Sequence, residues 1–552
     1  MPKSRSPEGQ HATKLAGSSW FPSIGFSYEQ AKSLLASRPG FYVSVATDLS
    51  EAQLIECIGD YDGIIVRSKT HVTASVVSAG RRLKVISRAG IGVDNIDVTA
   101  ATERGIVVLN TPDANATTTA ELALAHLFSL SRHLPQADRS VRAGEWQPAK
   151  FVGAELLDKS VSVIGFGTIG RIFARRCLAL KMRVLAYDPF VTPEVIEQMG
   201  AEPVTLDVLL AGADYVSLHC PLTEATRNMI DAGHLARMKP GACLINCARG
   251  GLIDEIALSD ALRSEHLAGA ALDVYAHEPP KGSPLLELDT VVLTPHLGAS
   301  TREAQQAVSV KIAEDVAAFL TTGEASGAVN LPRLSSEQIS RMRPYQYLAN
   351  ALGRFLAAIT SEPITELEIG LFGRAAELDP RPIISQALVG LLDKRLAVSV
   401  NQVNAAQLAR RQGIAVREAR SEVTHDYLAL VEVRATTTSQ ATTSVAGTLL
   451  GERLPRLVRV DDYEVEAVPQ GHMLFTRHDD RPGVVGALGS ILGRENINIS
   501  RMQVGIANGK DEAIAVIGIS ACLSEKALAE IQACRLSDRS CRWNYDFEAA
   551  AI

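Results

Sequence analysis

No run of about eighteen consecutive apolar residues occurs in the chain, so a membrane-spanning helix is not expected. No block of Lys and Arg stands out either. A formal net charge of −7 over 552 residues argues against nucleic acid as a partner. The eight cysteines are scattered and include no CxxC pair. That pattern fits free thiols in a reducing compartment better than disulfides or zinc, so the expectation is a cytoplasmic protein without a structural metal. The opening "MPKSRSPEGQHATKLAGSSW" lacks the apolar segment of a secretory signal, and Glu8 and Glu29 count against a transit peptide. Residues 1–40 therefore read as a flexible extension.

What is present is alternation. The length calls for three or four domains. From Phe41, "FYVSVATD", "GIIVRS", "KVISRAG" and "GIVVLNT" read as strands separated by helical stretches, which implies a parallel sheet built of βαβ units. A second alternating block runs from "KSVSVIGFG" to "TVVLTPH". The helix after it, "TREAQQAVSVKIAEDVAAFLTTG", is expected to return to the first block. "SGAVNLPRLSSE" reads as a linker. Beyond it lies an α/β stretch, then a βαββαβ unit of ferredoxin-like order.

"SVIGFGTIG" carries Gly165, Gly167 and Gly170 between a strand and a helix. The first glycine allows the tight turn, the second lets backbone approach a pyrophosphate, and the third lets helix and strand pack closely. The next strand ends at Asp188, placed to accept from the ribose hydroxyls of NAD. A glycine-rich turn that binds nothing is the bland alternative, and the full strand–turn–helix–strand–acid context weighs against it.

Three polar residues then fall at strand ends: Arg249 in "CLINCARGG", Glu278 in "AALDVYAHEPP" and His296 in "TVVLTPH". Singly, each has a bland reading as a surface ion pair, a solvated acid or a polar strand end. Together they suit oxidation of a 2-hydroxy acid. His296 would take the hydroxyl proton, Glu278 would orient the imidazole, and Arg249 would grip the carboxylate. Arg67 and Arg88, also at strand ends, offer fixed charge to a second anionic group.

The segments "SRAGIGVDNIDVTAATERGI", "NTPDANATTTAELALAH", "VIGFGTIGR", "NCARGGLIDE", "GAALDVYAHEPP" and "TPHLGAST" resemble the D-2-hydroxyacid dehydrogenase family, over nearly all of residues 60–330. The resemblance implies two Rossmann-like parallel-sheet domains. A discontinuous substrate-binding domain would hold residues 41–111 and 297–330, and an NAD-binding domain residues 112–296. It makes Arg249, Glu278 and His296 catalytic. It places Gly165, Gly167, Thr168, Ile169, Gly170, Asp188, Ala248 and Asp273 at the cofactor, and Arg67, Arg88 and Gly90 at the substrate. The implied substrate is 3-phosphoglycerate, and a homodimer or homotetramer is implied as the assembly. Residues 331–468 resemble an α/β intervening domain found in the family's longer members. Residues 469–552, with "RHDDRPGVVGALGSILGRENINI", resemble an amino-acid-binding ACT domain. That last likeness implies L-serine as effector, held by His478, Asp480 and Asn498, with the helix that receives the carboxylate starting at Pro482. The rival readings are a glyoxylate or hydroxypyruvate reductase, which has no need of Arg67 and Arg88, and a non-enzymatic NAD(H)-sensing regulator, which the ACT-like tail does not suit.

Overall fold

The computed structural model describes residues 13–18, 26–46, 49–332, 334–424, 426–507, 511–532 and 539–545. Four sheets follow one another along the chain. The first holds β1 (Thr13–Ser18), β2 (Phe41–Ala46), β3 (Gly63–Val66), β4 (Val85–Arg88) and β5 (Val107–Asn110) in the order β2-β1-β3-β4-β5, every pair parallel. Helices cover both faces, as a parallel sheet requires. On one face Leu35, Val308, Ile312 and Val316 pack with Val85 and Val107. On the other, Leu54, Ile58, Val76 and Val77 pack with Ile64 and Ile86. The long helix Arg302–Thr322 does return to this first sheet.

One expectation is corrected here. Residues 1–40 are not simply an extension: β1 is inserted between β2 and β3, and Phe26–Ala36 is a helix on the sheet. The strand escaped notice because "TKLAGS" holds one large apolar residue, whereas strands buried on both faces normally read as Val/Ile/Leu runs. Residues 1–12 and 19–25 of the expected extension lie outside the described residues.

The second sheet contains β6 (Ser160–Ile164), β7 (Arg183–Tyr187), β8 (Glu202–Pro203), β9 (Tyr215–Leu218), β10 (Cys243–Asn246), β11 (Gly269–Leu272) and β12 (Val291–Leu293). Its order, β12-β11-β10-β9-β6-β7-β8, is all parallel and reverses direction between β6 and β9. That reversal opens the crevice where such sheets bind ligands. The helix Ala116–Arg132 presses Ala120, Ala123 and Leu127 onto this sheet.

The third sheet comprises β13 (Ile364–Gly373), β14 (Ala415–Ser421), β15 (Ala429–Thr437), β16 (Thr442–Leu450), β17 (Leu454–Val460) and β18 (Tyr463–Ala467). The fourth, β19 (Gly471–Asp479), β20 (Ile499–Ile506), β21 (Glu512–Ile519) and β22 (Arg539–Tyr545), is antiparallel in the order β20-β21-β19-β22, with helices Val484–Arg494 and Glu525–Ile531. This is the expected ferredoxin-like unit. One face of the fourth sheet takes those helices. The other face, with Met473, Phe475, Ile514 and Val516, merges with the core of the third-sheet domain. There the Phe355 and Phe475 rings meet edge to face at 5.4 Å.

Candidate active site

The glycine-rich turn has the geometry its spacing predicts. Gly165 has φ +95°, and a Cβ there would lie 2.7 Å from the backbone of His219 and Cys220. A Cβ on Gly170 would sit 2.1 Å from the Gly165 carbonyl oxygen, so helix and strand touch only because neither residue carries a side chain. Gly167 faces open space. It is the N-cap of the helix Thr168–Ala179, whose free N–H groups and positive dipole end suit a pyrophosphate. These three positions fit a dinucleotide. Thr168 starts that helix and donates to Asp113 at 3.2 Å, while Ile169 packs on the core. Asp188 directly follows β7 and accepts the Phe166 and Phe190 N–H groups at 2.8 and 2.9 Å.

His296 and Glu278 come together as expected. His296 Nδ1 and Glu278 Oε2 are 2.8 Å apart, and the Tyr275 N–H reaches Glu278 Oε1 at 3.2 Å. Burial alone would raise the Glu278 carboxyl. The His296 hydrogen bond and charge, the Tyr275 N–H and Arg249 outweigh it and hold the carboxyl below its ordinary value. His296 has φ +55°, a left-handed conformation that costs a residue with a Cβ something to adopt. Asp273 supports it. Its carbonyl accepts the His296 N–H at 3.0 Å, and its carboxylate accepts the Leu297 and Gly298 N–H groups at 2.7 and 2.8 Å.

Asp273 is wholly buried, and its carboxylate also accepts from the Thr294 hydroxyl at 2.6 Å, so it anchors the loop that carries His296. Asn246 is a similar anchor that sequence reasoning missed. It is buried at the end of β10, donates to the Arg249 carbonyl at 2.8 Å and accepts the Ala248 N–H at 3.0 Å, so it shapes the turn that presents Arg249. A polar residue closing an apolar strand was the available signal.

Arg249 reaches across the cleft. Its Nε donates to Asp94 at 3.0 Å, and a Cβ on Gly92 would lie 1.9 Å from its Nη2. Arg88 lies against Gly90, where a Cβ would sit 2.1 Å from Nη1. Gly90 itself has φ +149°. Burial above all, then Arg249 opposed by Asp94, then Arg67, bring the Arg88 guanidinium down to about 10, still cationic at neutral pH. Arg67 is lowered by burial as well. Asn95 donates to the Arg67 and Thr70 carbonyls at 2.8 and 2.6 Å and fixes the loop between them. Arg88 thus feels Arg249, Asp94 and Arg67, and Arg249 pairs with Asp94, which gathers three cations on one side of the cleft.

Comparison with known proteins identifies the family. The family model "D-isomer specific 2-hydroxyacid dehydrogenase, NAD binding domain" matches residues 124–298. The D-3-phosphoglycerate dehydrogenase of Synechocystis is 43% identical over 89% of this chain and 88% of its own length. That of Archaeoglobus fulgidus is 42% identical over 87% and 90%.

The chain belongs to the D-3-phosphoglycerate dehydrogenase family.

It is an NAD-dependent dehydrogenase. The "D-3-phosphoglycerate dehydrogenase intervening domain" model matches residues 341–461 and the ACT domain model residues 472–533. The D-3-phosphoglycerate dehydrogenase of Bacillus subtilis is 38% identical over 85% of this chain and 90% of its own. Among solved structures, a Thermus thermophilus protein aligns over 57% of this chain and all of its own with a TM-score of 0.52 and 35% identity. A glyoxylate reductase from Paecilomyes thermophila aligns over 57% and 98% with a TM-score of 0.53 and 31% identity.

In the ACT unit, His478 is buried and hydrogen-bonds the Ala513 carbonyl through Nδ1 at 3.0 Å. Burial lowers its pKa, with Asp480 and Asp479 opposing. Its buried Nε2 has no partner among the described residues. Asp480 and Asn498 are exposed, one after β19 and the other ahead of the edge strand β20. The helix begins at Val484 rather than Pro482, with Gly483 at φ +99° as its N-cap. Proline alone did not mark the helix start, because the left-handed turn at Gly483 comes after it. Among the described residues no group of three or more His, Cys, Asp or Glu could hold a metal, and no helix is long and apolar enough to cross a membrane.

Proposed function

We propose that the chain oxidises 3-phospho-D-glycerate to 3-phosphohydroxypyruvate with NAD, the first step of L-serine synthesis. The observation that carries this reading is the convergence of Arg67, Arg88 and Arg249 beside the His296–Glu278 pair. Arg249 binds the substrate carboxylate with its planar fork, and Arg67 and Arg88 bind the phosphate. His296 accepts the C2 hydroxyl proton at Nε2, while Glu278 steadies the resulting imidazolium at Nδ1. NAD, when bound, accepts the hydride. Gly165, Gly167 and Gly170 form its cradle, Thr168, Ile169 and Ala248 line it, and Asp188 takes the ribose hydroxyls.

NADH formation from 3-phosphoglycerate, compared with D-glycerate and D-lactate, tests the substrate. Arg67→Ala should raise KM for 3-phosphoglycerate by about tenfold or more, since hydrogen bonds to charged groups contribute roughly 1.5–3 kcal/mol, and leave D-glycerate nearly untouched. Equal changes for both substrates would place the arginine elsewhere. His296→Ala should cut kcat by about 10²–10⁴ while NADH still binds; full turnover in that variant would remove the base.

The effector reading has L-serine bind the ACT unit. The unpartnered His478 Nε2 supports a polar ligand there, with Asp480 for the ammonium and Asn498 for a further hydrogen bond. Calorimetry with L-serine on wild type and Asp480→Ala tests it: no saturable binding, or unchanged affinity in the variant, sinks the site. A homo-oligomer is supported by Leu134, Val141, Trp146 and Val152, which are apolar, at least half exposed and close in sequence. Sedimentation of Trp146→Glu should show a smaller species; an unchanged profile would exclude this face.

A further inference from the structure

Beneath the catalytic loop lies a buried polar chain that the reaction itself does not use. His126, on the inner side of the helix Ala116–Arg132, is 2% exposed. Its Nε2 is 3.2 Å from Thr294 Oγ1 and its Nδ1 is 3.8 Å from Cys247 Sγ. Thr294 Oγ1 in turn donates to Asp273 Oδ1 at 2.6 Å. The protons on this chain have one consistent arrangement. The Asp273 carboxylate only accepts, so the Thr294 hydroxyl must donate to it. That hydroxyl oxygen then accepts from Nε2–H of His126. Nδ1 is left bare and accepts from the Cys247 thiol. Every donor points toward Asp273, so each bond polarises the next.

The placement is regular. Cys247 stands two residues before Arg249, and Thr294 two residues before His296. The strand ends that deliver Arg249 and His296 are therefore tied to one imidazole through the residue two positions upstream. We infer that His126 is a positioning residue: as a neutral Nε2–H imidazole it braces the Arg249 and His296 arms against each other and completes the anchoring of Asp273. Burial keeps the imidazole below its ordinary pKa, with Asp273, the charged group that acts on it, opposing. The neighbouring Cys247 thiol is pushed well up by burial and then by Asp273, so it stays a donor. Both shifts favour the uncharged forms, as a fixed brace requires.

The inference rests on the dehydrogenase reading, and the two can fail separately. His126→Leu keeps bulk but neither donates nor accepts. His126→Gln can donate through Nε2 to Thr294 and accept through Oε1 from Cys247. Expected for His126→Leu is a fall in kcat of about tenfold with KM for NAD unchanged, and for His126→Gln a return to within about threefold of wild type. Wild-type kcat in the leucine variant, equal losses in both variants, or kcat and KM for NAD changing together would overturn the brace. ¹⁵N NMR of histidine-labelled wild type decides the matter even where a variant fails to fold. The signal assigned to His126 should show a protonated Nε2 and a bare Nδ1 at pH 8. A proton on Nδ1 contradicts the chain. Wild type that forms no NADH from 3-phosphoglycerate removes the reaction reading, while the NMR result still judges the geometry.

Discussion

His219 follows β9 on the far side of the glycine-rich turn, with Nε2 3.0 Å from Ser217 Oγ. Burial drives its imidazole down to about 3. In the unfolded chain a histidine titrates near ~6.5, so between about 6.5 and about 3 the unfolded state binds the extra proton. Stability therefore rises with pH across that window and is lost as pH falls through it. The residue keeps a solvent-facing edge, so the expected loss at pH 5 is about 1 kcal/mol rather than the roughly 2 kcal/mol of a sealed group. Denaturant unfolding at pH 7 and pH 5 should show that loss in wild type and not in His219→Gln; equal losses would assign the acid sensitivity elsewhere. Asp188 makes a second prediction. Its carboxylate would repel a 2′-phosphate, so Asp188→Ala should narrow the kcat/KM preference for NAD over NADP by about tenfold or more. An unchanged ratio would show that the carboxylate does not face the ribose. Residues with a chemical task at a strand end, such as His296, Glu278 and Arg249, were legible in the sequence because polar groups interrupt apolar runs there. Asp273 and His126 were not assigned their anchoring places, since nothing in a linear pattern tells a buried carboxylate under a loop from one at its surface.

The turn between β6 and its helix separates two kinds of glycine. A methyl on Gly170 strikes the backbone at Gly165, so Gly170→Ala should destabilise by about 1–3 kcal/mol, read as a lower Tm. A methyl on Gly167 meets nothing within 4 Å. Gly167→Ala should keep the Tm yet weaken NADH binding, seen by fluorescence titration. Equal Tm losses in both variants would mean that the open space at Gly167 is not where the cofactor approaches. Element order was readable wherever β-branched runs alternate with helical stretches, and in the C-terminal unit the expected order matches the structure. It failed where an element lacks its signature: "TKLAGS" forms a strand by pairing on both sides, with little apolar content of its own.

Across the whole molecule, residues 401–411 tie the C-terminal part to the catalytic part around the short helix Val98–Glu103. Asn401 donates to the Gly105 carbonyl at 2.7 Å, and Gln407 donates to Glu103 at 3.1 Å, with Arg411 paired to the same carboxylate. Such long-range pairings are invisible to local pattern. The third and fourth sheets share one core, so calorimetry should show them melting together. Phe475→Ala should lower that transition, by about 3–5 kcal/mol in stability, and leave NADH binding intact; an ACT transition separate from the intervening domain would contradict the shared core. The position of β1 carries a consequence for handling the protein. Strands in a sheet lie about 4.8 Å apart, so β2 and β3 are held roughly 9.6 Å from each other by a segment that precedes both in the chain. A proteolytic cut or a shortened expression product that starts at Phe41 would leave a slot of that width, lined by two rows of unpaired amides, in the middle of the first sheet. Such a product should be recovered as aggregate, whereas one trimmed to just ahead of Thr13 keeps the sheet whole.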